Sequence, residues 1–171
     1  MHFTKLDKTR AFQRISGGFT SKVYKSIENN PIVMKKITNY QNYDVYQREK
    51  YVLLLLKEHH IPWCPQLISY DDTQQLLVMT DCGEPITKAN RPHHVRHAFE
   101  QILRDMEALG LQHNDIKQCE LLIKDGELFI CDFGWASLHN DHGCGQELWH
   151  GQKPGGYIKD ERALEYVLNK L

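Results

Sequence analysis

The segment HNDIKQCELLIKDGELFICDFG, residues 113–134, constrains the fold more than any other stretch of the chain. Asp125-Gly126 between two apolar runs is a two-residue hairpin signal, because the favoured turn needs positive φ at both central positions. Leu121–Lys124 and Glu127–Cys131 are therefore predicted strands with a fixed register. Lys124 pairs with Glu127, Ile123 with Leu128, Leu122 with Phe129 and Leu121 with Ile130. One step further, Glu120 falls opposite Cys131 and beside Asp132, while Asp115 lies one loop upstream of the same strand end. Three acids are thus expected at one end of a small sheet. They repel one another unless a cation or a proton compensates. Oxygen ligands of this kind suit Mg²⁺, which is typically held by one or two carboxylates plus substrate phosphates. The competing reading points all three into water beyond the hairpin.

Upstream, the periodicity changes twice. ISGGFTSKVYKSI reads as two short strands around a glycine turn, and PIVMKKI as a third, bounded by Asn29-Asn30-Pro31. Within Tyr43–Glu58, Val45, Val52, Leu53 and Leu56 recur at helical spacing. Glu49 lies on that apolar stripe, where a carboxylate is costly unless a cation meets it. Gln66–Tyr70 and Gln75–Thr80 are predicted strands around the turn Asp71-Asp72-Thr73. DCGEPITKANRP reads as a linker between two lobes. A helix follows from about Pro92, with Val95, Phe99, Ile102, Leu103 and Met106 as its stripe and Gly110 as its stop. The stretch from Trp135 to Tyr157 reads as irregular, and Asp160–Leu171 as a closing helix with Asp160 as N-cap.

Composition sets limits on function. Of 171 residues, 41% are hydrophobic and 25% charged, which suits a soluble globular protein. A formal net charge of -1 gives no global electrostatic case for nucleic acid or an anionic membrane. No apolar run approaches the ~20 residues of a membrane span, and MHFTKLDKTR lacks the apolar core of a secretory signal. Five cysteines without a CxxC pair point to free thiols in a reducing, cytoplasmic compartment. His139, His142, Cys144 and His150 offer four zinc-type ligands, but their spacing matches no strong pattern, and a plain loop is the simpler expectation.

In order along residues 12–137, these segments resemble the protein kinase superfamily. HNDIKQCE stands where protein kinases have the HRDxKxxN catalytic loop, and CDFG matches the metal-binding DFG motif. IVMK is similar to the VAIK strand, SGGFTSKVY to the glycine-rich loop, and LLVMTDCGEP to the last small-lobe strand and hinge. The resemblance implies an α+β, protein-kinase-like two-lobed fold in a single domain over 1–171. Residues 1–80 form a small lobe of antiparallel sheet plus one helix, 81–91 a hinge, and 92–171 a strongly shortened helical large lobe.

It also implies roles. Asp115 accepts the proton of the attacking hydroxyl, and Lys117 meets the γ-phosphate, as in serine/threonine-type kinases. Lys35 holds the α/β-phosphates and pairs with Glu49. Gly17 and Gly18 approach the phosphates. Val23 and Val33 cover adenine, Met79 is the gatekeeper, and the backbone of Thr80 and Cys82 faces the base. Asp132 and Glu120 bind Mg²⁺ or Mn²⁺.

Four departures qualify the likeness. Glu120 replaces the loop asparagine; it is still an oxygen ligand but adds charge, leaving either a working site of altered geometry or an overcharged, inactive one. Asn114 replaces the arginine that reads a phosphorylated activation loop, so that switch is not expected. Ser16 and Ser21 take the outer positions of the glycine loop, which should approach phosphate less closely. The stretch after Gly134 holds no APE motif and is too short for the usual later helices, giving a minimal kinase of a type also met in bacterial sugar kinases, RIO-type kinases and some viruses.

The expected function is an ATP-dependent phosphotransferase, a minimal serine/threonine-type protein kinase. The alternatives are a pseudokinase that engages a partner protein, and a kinase acting on a sugar or other small molecule. Expected partners are ATP and a protein, with no nucleic acid and no membrane span.

Overall fold

Five antiparallel strands in the order β1-β2-β3-β5-β4 form the larger sheet of this α+β fold: β1 Phe12–Gly17, β2 Ser21–Ser26, β3 Ile32–Ile37, β4 Leu67–Asp71 and β5 Leu76–Thr80. The computed structural model describes residues 11–17, 20–28, 31–38, 43–138 and 159–171. Gly18 and the residues considered for zinc (His139, His142, Cys144 and His150) lie outside the described residues. The chain divides into two units, Met1–Asp81 and Cys82–Leu171.

In the first unit, helix α1 (Tyr43–Glu58) connects β3 to β4 and spans the residues its 3.6-residue period predicts. Its stripe Val45, Val52, Leu53 and Leu56 is buried, as are Ile37 and Leu77 on the sheet face that carries Lys35. Burying a side chain of this size stabilises by about 1.5–3 kcal/mol. Strand β4 begins and ends one residue later than its apolar text suggests. Asp71 closes the β4–β5 turn instead, its carboxylate accepting the backbone N–H of Gln74 at 2.9 Å.

The second unit is built around the helix α2 (Val95–Ala108), which buries Val95, Phe99, Ile102 and Met106. Gly110 at φ 63 ends the helix as expected, since only a residue tolerant of positive φ stops it this way. Strands β8 (Leu121–Lys124) and β9 (Glu127–Ile130) pair in the register set by the Asp125-Gly126 turn, from Lys124 opposite Glu127 to Leu121 opposite Ile130.

Three local expectations need correction. The predicted linker contains a short strand, β6 (Glu84–Pro85), which pairs with β8 through Glu84–Ile123 and Pro85–Leu122. The region read as irregular includes β10 (Ser137–Leu138), paired with β7 (Leu111–Gln112). The last helix, α3 (Asp160–Lys170), has Lys159 and not Asp160 at its N-cap, without a side-chain cap. Two-residue strands have no period to read, and the Asp160 side chain is engaged elsewhere. No helix among the described residues is long and apolar enough to cross a membrane.

Candidate functional site

In the first unit the pairing of β2, β3 and β5 decides which side chains share a face. Val23 lies opposite Lys35, Lys35 opposite Leu77, and Val33 opposite Met79. Directly paired residues point to the same side, and so do residues two apart on a strand. Val23, Val33, Lys35 and Met79 therefore occupy one face of the sheet. Val23 and Val33 are half-buried and Met79 is buried.

Lys35 is only 5% exposed, and its ammonium meets the carboxylate of Glu49 on α1 at 2.9 Å to Oε1 and 2.7 Å to Oε2. That contact accounts for an acid on the buried stripe of α1. Two ions leave water only at considerable cost, which close contact between them offsets. Gly17 ends β1 with an exposed backbone opposite Lys22. Thr80 is held by Gln66, whose backbone N–H donates to the Thr80 hydroxyl and whose carbonyl accepts the Thr80 N–H.

Sequence reasoning missed one neighbour on this face. Lys25, opposite Val33, reaches Asp81 at 3.0 Å, and Asp81 is buried. The alternation of Val23 and Lys25 on β2 was a usable signal, but nothing in the text pointed to the partner.

In the second unit the loop from His113 to Glu120 is held from three sides. The His113 ring is fully buried, with Nε2 2.9 Å from the carbonyl of Cys131 and the ring against Phe133. The Asp115 N–H donates to Nδ1 at 3.3 Å, which leaves Nε2 to face the Cys131 carbonyl. Asn114 takes φ 66, a conformation asparagine tolerates, and its amide donates to the Trp135 carbonyl and the Ser137 hydroxyl, each at 3.0 Å. Where the resemblance implied a missing arginine, the residue present ties the loop to the chain after Asp132.

The third anchor is Asp160. Its buried carboxylate accepts the backbone N–H of His113 at 2.7 Å and that of Asn114 at 2.9 Å. The capping role expected for Asp160 is thus replaced by a long-range one.

The acids at the hairpin end differ in their surroundings. Asp115 is buried and Lys117 is exposed, and the Lys117 ammonium donates to Asp115 Oδ2 at 2.7 Å and lies 3.8 Å from Glu120. Burial pulls the Lys117 pKa down, but the hydrogen bond to Asp115 and the charges of Glu120 and Asp115 outweigh it and hold it above the ordinary lysine value. Glu120 is 7% exposed; burial first, then the Asp132 charge, pushes its carboxyl up to about 7. Asp132 takes the left-handed conformation at φ 68 and ψ 68. The Cys131 N–H donates to the Glu120 carbonyl at 3.0 Å, which fixes the two acids at the same strand end. Cys119 is no ready nucleophile, since desolvation and Glu120 push its thiol up to about 11.

Whether this end suits a metal is decided by the donor set. Among the described residues, no group of three or more His, Cys, Asp or Glu side chains is arranged to hold an ion alone. The three acids do converge, since the charges of Asp132 and Asp115 both raise the Glu120 carboxyl, but Asp115 is engaged by Lys117. Glu120 Oε2, however, is buried without a hydrogen-bond partner among the described residues, and Asp132 is close enough to shift its titration. Two carboxylates fit a hard divalent cation whose remaining ligands come from phosphate and water.

No family model matches the chain, and no curated protein matches it.

Proposed function

We propose that the protein is an ATP-dependent phosphotransferase that transfers a phosphoryl group to a protein hydroxyl, as its resemblance to serine/threonine-type kinases implies. The single observation that supports this most is the buried Lys35–Glu49 contact at 2.7–2.9 Å. A strand lysine and a helix glutamate that stabilise only the fold are replaceable by apolar side chains at little cost. A lysine preorganised by a carboxylate suits polyphosphate binding, and the resemblance assigns that role to Lys35 and Glu49.

In this reading Asp115 orients the acceptor hydroxyl and takes its proton. The hydroxyl oxygen bonds to the γ-phosphorus, the bond to the β–γ bridging oxygen breaks, and ADP leaves. Lys117, already on Asp115, offsets charge on the transferred group. Glu120 and Asp132 would hold Mg²⁺ or Mn²⁺, which supplies charge neutralisation of the phosphates. Val23, Val33 and Met79 supply an apolar surface for the base, and the resemblance assigns backbone contacts with it to Thr80 and Cys82. Gly17 gives the close backbone approach.

Purified full-length chain, ATP, Mg²⁺ or Mn²⁺ and a mixed protein substrate test the proposal. Phosphate transfer that Asp115→Ala abolishes is the expected result. Nucleotide turnover indistinguishable from that of Asp115→Ala overturns it.

One observation favours a second reading. Burial and the Asp132 charge push the Glu120 carboxyl up to about 7, so a cation there competes with a proton that the buried site favours. A nucleotide-binding module that engages a partner protein without turnover accommodates this. It predicts thermal stabilisation by ATP that is independent of metal, whereas the enzyme requires stabilisation that depends on both metal and Lys35.

A further inference from the structure

A groove of about 490 Å³ in the second unit lies between the start of the Asp115 loop and α3. Its apolar lining is Ile116, Ala163 and Val167, and its charged lining is Lys117, Arg162 and Lys170, with no acid among the described lining residues. Helix geometry explains the imbalance. At 3.6 residues per turn, Arg162, Tyr166 and Lys170 stack along one side of α3, while Glu161 and Glu165 turn away from it. Lys117 is already neutralised by Asp115. Among the described residues, Arg162 and Lys170 make no ion pair, and Lys170 lies 4.0 Å over the ring of Tyr166, which is 62% exposed.

We propose that this groove seats an acidic peptide segment of the protein that presents the acceptor hydroxyl. The inference rests on the phosphotransferase reading for the word acceptor, and on the groove alone for the word acidic. Asp115 meets the groove through Lys117, so a segment lying there leads toward the carboxylate assigned to the hydroxyl. Arg162 and Lys170 are two helical turns apart, about 12 Å along the axis. An extended chain advances about 3.3 Å per residue, so acids three or four positions apart match the two cations. A small anion matches only one of them. Tyr166, between them, offers an amphipathic ring to the intervening residues.

The test uses full-length protein and a fluorescent serine peptide with two aspartates four positions apart, followed by anisotropy without nucleotide. Expected are tighter binding than to the same peptide with asparagines, weakening with salt, and about a tenfold loss in the double variant Arg162→Glu, Lys170→Glu. The charge-keeping variant Arg162→Lys, Lys170→Arg should restore affinity, and melting curves establish that both variants fold. Equal affinity for acidic and neutral peptides, or no loss on charge reversal, overturns the groove proposal even if phosphate is transferred. Charge-dependent binding with no transfer to any peptide upholds the groove as a peptide site and removes the phosphotransferase reading.

Discussion

Asp160 and His113 are joined across 47 residues by a 2.7 Å hydrogen bond from the His113 N–H to the Asp160 carboxylate, and Asn114 adds a second at 2.9 Å. Both bonds are buried, and hydrogen bonds to a charged acceptor contribute about 1.5–3 kcal/mol each. Asp160→Ala should therefore destabilise the protein by about 3 kcal/mol in urea unfolding, and Asp160→Asn, which keeps one acceptor oxygen, by roughly half of that. A midpoint for Asp160→Ala equal to that of the parent would show that the loop stands without this anchor.

What could be read in the sequence was what is local. The period of Val45, Val52, Leu53 and Leu56 defines α1 over Tyr43–Glu58, and Asp125-Gly126 defines every pair of the β8–β9 ladder. Glu49 on an apolar stripe announced a buried cation, and the strand lysine Lys35 meets it. What failed was what depends on distant partners. Asp160 has the residue type and position of a cap, and only the fold shows its carboxylate committed to a loop far upstream. Strands β6 and β10 are each two residues long, below any period, and exist because β8 and β7 offer them open edges. The convergence of acids was legible, but the capture of Asp115 by Lys117 was not, because a lysine two residues away in a loop has no fixed direction.

The Lys35–Glu49 contact separates stability from function. Removing one partner leaves a buried charge, so Lys35→Met alone should cost about 3–5 kcal/mol. The pair Lys35→Met, Glu49→Leu removes both charges and should be within about 1 kcal/mol of the parent. If the proposed function holds, the double variant is folded yet shows no nucleotide-dependent shift in melting temperature. Retention of that shift would detach Lys35 from phosphate binding.

Two glycines with similar φ should respond differently to alanine. Gly83 at φ 90 would place a Cβ 2.0 Å from the carbonyl oxygen of Ile123, where β6 lies along β8. Gly126 at φ 84 has open space around the same atom. Gly126→Ala should thus lose only the backbone preference, about 1 kcal/mol, while Gly83→Ala must also shift the backbone and should lose more than about 3 kcal/mol. Hydrogen exchange at Ile123 and Ile86 reads the local effect. Equal losses at the two sites would contradict the close approach of Gly83 to β8.

Glu120 makes stability depend on pH in a direction opposite to that of a salt-bridged acid. Its carboxyl titrates near 4.5 when unconstrained and at about 7 in the folded chain, chiefly because burial disfavours the charge. Between those values the folded state keeps a proton that the unfolded state has released, so stability falls as pH rises through that window and levels off above it. At about 1.4 kcal/mol per pH unit, the loss amounts to about 3 kcal/mol. Glu120→Gln lacks the titration, so its stability relative to the parent should rise by about that amount from pH 4.5 to pH 7. Urea unfolding of both proteins at half-unit intervals, in the presence of a chelator, measures the difference. A bound cation favours the carboxylate, so Mg²⁺ with ATP should flatten the parent's slope and leave that of Glu120→Gln unaltered. Parallel pH profiles for the two proteins would mean that the fold does not hold Glu120 protonated, and the ground for the metal-independent binding module would fall with that result.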